Sequence, residues 1–129
     1  MIEYATDLSE YATDFSPSEM IVTAGARQLK NKKVIFAGTG LPMVGITLAQ
    51  LTHGPDIIPV FEGGAVGPTL NRSLPLSVGD SRTTSKANFI QGLNSSFELT
   101  QRGFIDVGFI GGAEVDPYGN LNSTMIGNF

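Results

Sequence analysis

The residues best suited to chemistry stand where apolar segments give way to glycines. Glu62 follows the apolar run 57–61 and precedes Gly63 and Gly64. A carboxylate in that place would project from the end of a strand beside backbone without side chains, so a reacting group could approach it closely. The competing interpretation is a carboxylate that leaves the sheet at a solvated turn, and so short a pattern also arises by chance. Glu62 is therefore a candidate catalytic residue whose role the pattern alone leaves open.

A second glycine-rich segment, Gly38-Thr39-Gly40, directly follows another apolar run. Backbone N–H groups at a strand-to-helix junction can bind a phosphate or a carboxylate. Met43 stands where the dinucleotide-binding fingerprint needs its third glycine, which argues against a nicotinamide cofactor. A glycine turn required only for packing remains the alternative.

A third glycine pair, Gly111 and Gly112, precedes two carboxylates, Glu114 and Asp116. Because the sequence does not give the separation of these carboxylates, an acid and base pair for glycoside cleavage cannot be inferred. The chain has one histidine, His53, and no cysteine, so it cannot assemble the usual zinc ligand sets. No metal site is predicted.

The elements that must position these residues begin with a helix. Ser16 and Glu19 have the spacing of a capping box, and Pro17 suits the first helical position. Met20 and Ala24 then recur at helical spacing, which predicts an amphipathic helix with these two residues on its apolar side.

A strand, a helix and a second strand are predicted next. The uninterrupted apolar run 34–37 is typical of a parallel strand buried on both faces. Val44 and Leu48 recur at helical spacing beyond the glycine turn. The run 57–61 predicts a second strand, in which Pro59 indicates an edge position or an irregularity in the ladder because proline has no N–H.

The second half of the chain has weaker patterns. Residues 63–85 are rich in Gly, Pro, Ser and Thr and predict a long loop that serves binding or assembly. A short helix over 94–102 and a strand over 105–110 follow. Residues 116–120 have the composition of a turn, and residues 121–126 could begin another strand.

This alternation predicts an α/β fold, with an open, mostly parallel sheet and helices on its faces. Ligand sites in such sheets lie at the carboxyl ends of the strands. The few short strands leave sheet edges exposed unless further sequence or another subunit covers them, so the sheet is expected to be incomplete. We divide the chain into an acidic N-terminal arm, residues 1–15, and a single domain, residues 16–129.

Charge and composition exclude several classes of partner. The net charge is −4, and beyond the acidic start the charges nearly balance, so nucleic acid binding is not predicted. A local basic run, Arg27, Lys30, Lys32 and Lys33, is interpreted as side chains in the last turn of a helix, with a site for an anionic ligand or partner as the alternative. Residues 34–53 carry no charged side chain, but glycines and a proline interrupt them, so no membrane span is predicted. The absence of cysteine and of a signal-like start favours a cytoplasmic protein.

Three segments are long enough to compare with a known family: AGTGLPMVG at 37–45, FEGG at 61–64 and FIGGAEVDPYGNLNSTMIG at 109–127. Together they resemble the β subunit of family I coenzyme A transferases, most closely the glutaconate type. The resemblance runs over nearly all of this chain, which corresponds to roughly the first half of such a subunit.

The resemblance implies that Glu62 is the catalytic glutamate. In the family that glutamate is usually followed by Ser-Gly or Asn-Gly, so the glycine at position 63 removes a side-chain contact. The resemblance also implies coenzyme A as a substrate, no permanently bound cofactor, and an α subunit as the partner in an oligomer. The residues implied to lie at the substrate and CoA site are Gly38, Thr39, Gly40, Gly63, Gly64, Gly111 and Gly112.

The chemistry that the resemblance implies is transfer of CoA between an acyl-CoA and a carboxylic acid through a glutamyl-CoA thioester. Two alternatives stay open. One is a CoA-dependent hydrolase or a carbon–carbon bond-cleaving or ring-cleaving enzyme on the same fold. The other is a non-catalytic binding or assembly subunit.

Overall fold

A computed structural model describes residues 14–31, 33–70 and 74–127, so the predicted acidic arm lies almost wholly outside the described residues. The elements in chain order are α1 (Pro17–Gln28), β1 (Val34–Ala37), α2 (Leu41–Thr52), β2 (Ile58–Phe61), β3 (Ala65–Val66), a 3-10 helix (Ser81–Thr84), β4 (Phe89–Ile90), α3 (Leu93–Gln101), β5 (Val107–Phe109), β6 (Glu114–Val115) and β7 (Leu121–Asn122).

Five of the strands form one mixed sheet in the order β4-β3-β2-β1-β5, in which β2, β1 and β5 are parallel and β3 and β4 are antiparallel additions. The predicted α/β fold with a mostly parallel sheet is confirmed. Ala37, at the end of β1, pairs with Phe61 on one side and with Phe109 on the other. The residues that follow these three strands therefore emerge at the same edge of the sheet.

The two faces of the sheet bury different side chains. Ile35 and Ala37 belong to the larger core, beneath α1 and α2. Phe36 points to the opposite face because successive side chains of a strand alternate, and its ring lies 5.6 Å from the ring of Phe97 on α3. The sheet is thus covered by helices on both faces, as buried parallel strands require.

The predicted start of α1 is confirmed. Glu19 N donates to Ser16 Oγ at 3.3 Å, and Ser16 N donates to Glu19 Oε2 at 2.7 Å, which completes the capping box. The predicted apolar side of this helix is wrong, because Met20 is 52% exposed while Ala26 is buried.

Small residues explain that error. A Cβ atom on Gly45 of α2 would lie 3.6 Å from Val22 O and 3.9 Å from Ala26 N. The two helices pack through backbone atoms and small side chains. Their contact therefore lacks the large apolar residues from which a buried helix face is predicted. His53, which follows α2, adds a polar link, since its Nε2 lies 3.0 Å from Ala26 O and 2.9 Å from Leu29 O.

Pro59 does not mark an edge strand, because β2 lies between β1 and β3. The other alternative, an irregular ladder, agrees with the structure. The only residue pair between β2 and β3 is Val60 with Val66. Next to this pair, the Pro59 carbonyl oxygen accepts from Gly67 N at 2.7 Å. The ladder between β2 and β3 ends there, so the missing N–H of proline breaks no further hydrogen bond.

The second half departs further from prediction. The predicted loop over 63–85 contains β3 and the 3-10 helix, and β4 was not predicted. The predicted helix and the strand after it are confirmed, although the strand is shorter than expected. The predicted turn over 116–120 joins β6 and β7, which form a separate two-stranded sheet. None of the helices within the described ranges is long and apolar enough to cross a membrane.

Candidate active site

Glu62 and Gly38 lie side by side at the carboxyl edge of the parallel strands. A Cβ atom on Gly38 would lie 3.5 Å from Glu62 Oε2 and 3.7 Å from Oε1, so the carboxylate lies beside the position that a side chain at residue 38 would occupy. Glu62 is partly buried, and no ion pair to it is found in the part of the chain that the structure describes. The structure thus brings the candidate nucleophile and the first residue of the glycine loop together.

The turn that follows Glu62 has no room for side chains. A Cβ atom on Gly63 would lie 2.3 Å from Val78 O, and one on Gly64 would lie 1.8 Å from Gln91 O. Gly64 also has a φ of +105°, a conformation that disfavours other residues. A side chain at position 63, such as the serine or asparagine usual in the family, would therefore collide with the Val78 backbone.

The two N–H groups of this turn are not equivalent. Gly64 N donates to Phe61 O at 2.9 Å, which commits it to the turn itself. No acceptor for the N–H of Gly63 is found among the described residues, so this N–H is a candidate donor to a bound ligand.

Two polar residues missed by the sequence analysis support this turn from α3 and the segment before it. The buried Ser96 donates from Oγ to Phe61 O at 3.3 Å, and Gln91 Nε2 donates to Ser96 Oγ at 3.2 Å. Gln91 N donates to Gly64 O at 2.9 Å. These contacts join residues distant in sequence and produce no periodic pattern, so composition and spacing gave no signal for them.

The other two residues of the glycine loop, Thr39 and Gly40, have different surroundings. Thr39 Oγ1 accepts from Val78 N at 3.3 Å, which engages the hydroxyl with the segment that also packs on Gly63. Gly40 adopts a φ of +103° and opens α2 without a side-chain cap. A Cβ atom on Gly40 would meet nothing within 4 Å among the described residues, so its backbone faces open space.

Gly111 and Gly112 lie at the same edge as Glu62 but two strands away, since β1 separates β5 from β2. Two strand spacings amount to about 10 Å. Both glycines line an apolar cleft of about 440 Å³ between α1, the start of α2 and the end of β5, and neither Glu62 nor Gly38 lines it. The lining residues are Ile21, Val22, Gly25, Leu41, Pro42, Gly45, Phe109, Ile110, Gly111 and Gly112.

One strongly perturbed carboxylate lies in the segment that contacts Gly63. The Arg82 side chain donates hydrogen bonds to Asp80 and holds the pKa of that carboxyl group far below its ordinary value. The backbone N–H groups of Arg82 and Leu76 lower the pKa further. Asp80 is therefore ionised over the whole physiological range, with its oxygens committed to the surrounding loop.

Comparison with known proteins identifies the family. The sequence profile described as Coenzyme A transferase matches residues 18–129. The chain belongs to the coenzyme A transferase family. This confirms the resemblance that the three sequence segments indicated.

Two curated relatives in the family are B subunits. The chain is 43% identical over 118 residues to the B subunit of 3-oxoadipate CoA-transferase from Pseudomonas knackmussii, and the match covers 89% of this chain and 44% of that protein. It is 36% identical over 125 residues to the B subunit of glutaconate CoA-transferase from Acidaminococcus fermentans, with 91% and 46% covered. The chain thus spans less than half the length of these relatives.

Solved structures agree on the fold. The crystal structure of the Acidaminococcus fermentans glutaconate coenzyme A-transferase superposes with a TM-score of 0.75 over 90% of this chain and 46% of that one. The decarboxylase AibA/AibB gives the same TM-score at 30% identity, over 88% of this chain and 48% of that one.

Proposed function

We propose that this chain supplies the nucleophile of a CoA transferase, Glu62, and that the enzyme moves CoA between an acyl-CoA and a carboxylic acid. The observation that supports this proposal is the placement of the Glu62 carboxylate. It lies at the carboxyl edge of the parallel strands, beside Gly38, and without a cationic partner among the described residues. A carboxylate not neutralised by an ion pair keeps its oxygens available for attack.

The proposed reaction has two half-reactions, each of which breaks one thioester and forms another. A Glu62 carboxylate oxygen attacks the thioester carbon of the acyl-CoA, the carbon–sulfur bond breaks, and CoA thiolate leaves a mixed anhydride behind. The thiolate then attacks Cδ of Glu62, which releases the first carboxylate and forms a glutamyl-CoA thioester. An acceptor carboxylate reverses these steps, so no oxidant, metal or net proton is consumed.

Each addition creates an oxyanion that needs a hydrogen-bond donor. Within this chain we assign that role to the N–H of Gly63, since Gly64 N already donates to Phe61 O. Removal of one such donor typically costs about 2.7–4 kcal/mol of transition-state stabilisation.

The relatives guide the choice of substrate and partner. Both curated relatives are named for dicarboxylic acids, 3-oxoadipate and glutaconate, and both are named as B subunits. We therefore propose a dicarboxylic acid as the acceptor and a chain of the A-subunit type as the partner in a hetero-oligomer. We assign coenzyme A the role of a substrate, exchanged in each cycle.

The test is direct detection of the intermediate in the assembled enzyme. Incubation with an acyl-CoA, followed by peptide mass spectrometry, should find CoA attached through a thioester at Glu62. Glu62→Ala should abolish transfer, and Glu62→Asp should leave a trace at most because the nucleophile is shortened by one methylene. A CoA adduct at another residue would overturn the proposal, and a chain that binds its partner tightly but never labels would indicate an assembly role.

Carbon–carbon bond cleavage is the second candidate, favoured by the similarity to the decarboxylase AibA/AibB. The two reactions differ in what they need. A CoA transferase forms product only when an acceptor acid is present, whereas a decarboxylase releases carbon dioxide from the acyl-CoA alone. Measurement of both products with and without the acceptor separates them.

A further inference from the structure

A loop outside the glycine segments makes contact with two of them, Gly38-Thr39-Gly40 and Gly63-Gly64. We name it the Asp80 loop, residues 74–85, and its closure depends on one carboxylate. Asp80 Oδ2 accepts from Leu76 N at 3.1 Å, and Oδ1 accepts from Arg82 N at 2.9 Å. Arg82 Nε donates to both oxygens at 3.0 Å. Asp80 thereby joins the two arms of the loop.

Val78 lies between these arms and meets the site through its backbone. Val78 N donates to Thr39 Oγ1 at 3.3 Å. Its carbonyl oxygen would lie only 2.3 Å from a Cβ atom on Gly63. Thr83 Oγ1, which donates to Asp80 O at 2.6 Å, lies 3.4 Å from the same Val78 oxygen. Val78 therefore contacts the loop after β1 with its N–H and the turn after β2 with its C=O.

Those two segments place Glu62 against Gly38. Each segment contains glycine, whose backbone has more conformational freedom than that of any other residue, and β1 and β2 have four residues each. Short strands followed by glycines do not by themselves hold a carboxylate in one place. A backbone group that packs on both segments restricts their relative motion.

We propose that Asp80 is a positioning residue for Glu62, acting through Val78. The loop that Asp80 closes presses the Val78 carbonyl group against Gly63 and holds Thr39, and so fixes the Glu62 carboxylate beside Gly38. This inference rests on the proposed function of Glu62 for its catalytic consequence, but the positioning itself is a property of the fold. Misplacement of a reacting group by about 1 Å can cost on the order of a hundredfold in rate.

The test compares Asp80→Ala with Asp106→Asn in the assembled enzyme. Asp106 is a matched control, because it also forms an ion pair, with Lys33 at 2.8 Å, and also accepts a backbone N–H, that of Val34. Asp106 lies at the amino ends of β1 and β5, the edge of the sheet opposite to Glu62. Asp80→Ala should slow the formation of the CoA adduct at Glu62 and lower kcat on the order of tenfold to hundredfold, with KM little changed. Asp106→Asn should leave both rates near the wild-type values.

Asp80→Asn completes the series. Asparagine keeps one oxygen that can accept a backbone N–H, so it should restore part of the rate lost in Asp80→Ala. If Asp80→Ala forms the adduct as fast as Asp106→Asn while both are folded, the inference is overturned. The inference is also overturned if Asp80→Ala and Asp106→Asn lose rate in the same proportion to their loss of melting temperature.

A second measurement keeps the inference testable if the wild-type chain forms no adduct and the proposed function fails. Amide hydrogen exchange of the full chain should be faster at Val78 and Gly64, whose N–H groups are hydrogen-bonded, in Asp80→Ala than in Asp106→Asn. Equal exchange at these amides in the two variants would contradict the positioning role, whatever reaction the protein catalyses.

Discussion

Two turns in this chain are each organised by one aspartate, yet their surroundings are opposite. Asp80 accepts backbone N–H groups within its loop, and Asp116 accepts from Tyr118 N and Asn120 N, both at 2.9 Å. The Asp80 loop packs Val78 on Gly63. The hairpin around Asp116 projects from the domain, and Tyr118 is 91% exposed. The same local chemistry therefore has different consequences, which depend on what lies against the turn.

Glycines show the same contrast. Gly64 and Gly119 both have positive φ angles, +105° and +85°. A Cβ atom on Gly64 would collide with Gln91 O at 1.8 Å, whereas one on Gly119 would meet nothing within 4 Å among the described residues. Glycine is required for packing beside Glu62, and in the hairpin it is required only by the backbone angle.

The largest expected effect comes from alanine at these two positions. Gly64→Ala combines backbone strain with a collision against main-chain atoms, so we expect it to lower the free energy of unfolding by at least about 4 kcal/mol. Gly119→Ala adds strain alone and should cost about 1–2 kcal/mol. Urea unfolding followed by circular dichroism measures both values. Equal losses would remove the contrast between the two regions.

A smaller effect is expected for Gly63 and Gly111, which both lack a positive φ angle and differ only in whether an added Cβ atom would collide with a neighbour. In Gly63→Ala the new Cβ atom would lie 2.3 Å from the Val78 carbonyl oxygen, which has to move away. This should lower the free energy of unfolding by about 1–3 kcal/mol. Gly111 has open space around it, so Gly111→Ala should stay within about 0.5 kcal/mol. The midpoints of thermal unfolding provide the measurement. A Gly63→Ala protein as stable as Gly111→Ala would show that the Asp80 loop is not held against the turn.

Acid pH should distinguish the two aspartates. Hydrogen bonds lower the pKa of Asp80, chiefly those from Arg82, and lower that of Asp116, chiefly those from Asn120. A carboxyl group with a lowered folded pKa stabilises the protein above its ordinary pKa of 3.8, and that contribution is lost as the pH falls from there through the folded pKa.

Asp80→Asn should therefore flatten the fall in stability below about pH 4, and Asp116→Asn should flatten it less, because Asp116 lacks an ionised partner among the described residues. Urea midpoints between neutral and strongly acid pH give the slopes. A larger change for Asp116→Asn would reverse the order that the contacts imply.

The smallest effect is expected at the tip of the hairpin. Tyr118 is 91% exposed, so Tyr118→Ser should change the free energy of unfolding of this chain by no more than about 0.5 kcal/mol. The unfolding midpoint of the isolated chain is the measurement. A loss above about 1 kcal/mol would show that the hairpin packs on the domain more closely than its exposure indicates.

The parts of the fold that were predictable are those with a local signal. The capping residues Ser16 and Glu19 marked the start of α1, and the apolar run 34–37 marked β1. The position of Glu62 at a strand end followed from the same reasoning, because parallel strands end at one edge. These predictions depend on residues close together in sequence.

The elements and site residues that were not predicted depend on tertiary contacts. The two-residue strands β3 and β4 are too short to show alternation. Val78, Gln91 and Ser96 support the site through backbone contacts and single hydrogen bonds, which any of several residue types could make. The composition of the segment 63–85 indicated a loop, but it could not show that part of this loop packs on the turn after Glu62.

The place of the Glu62 carboxylate beside Gly38 also bears on the proposed choice of substrate. Gly38 has no side chain, and a Cβ atom there would lie within ordinary van der Waals distance of the carboxylate. If Glu62 is the nucleophile that we propose, discrimination between linear and branched acids depends on side chains at positions other than 38.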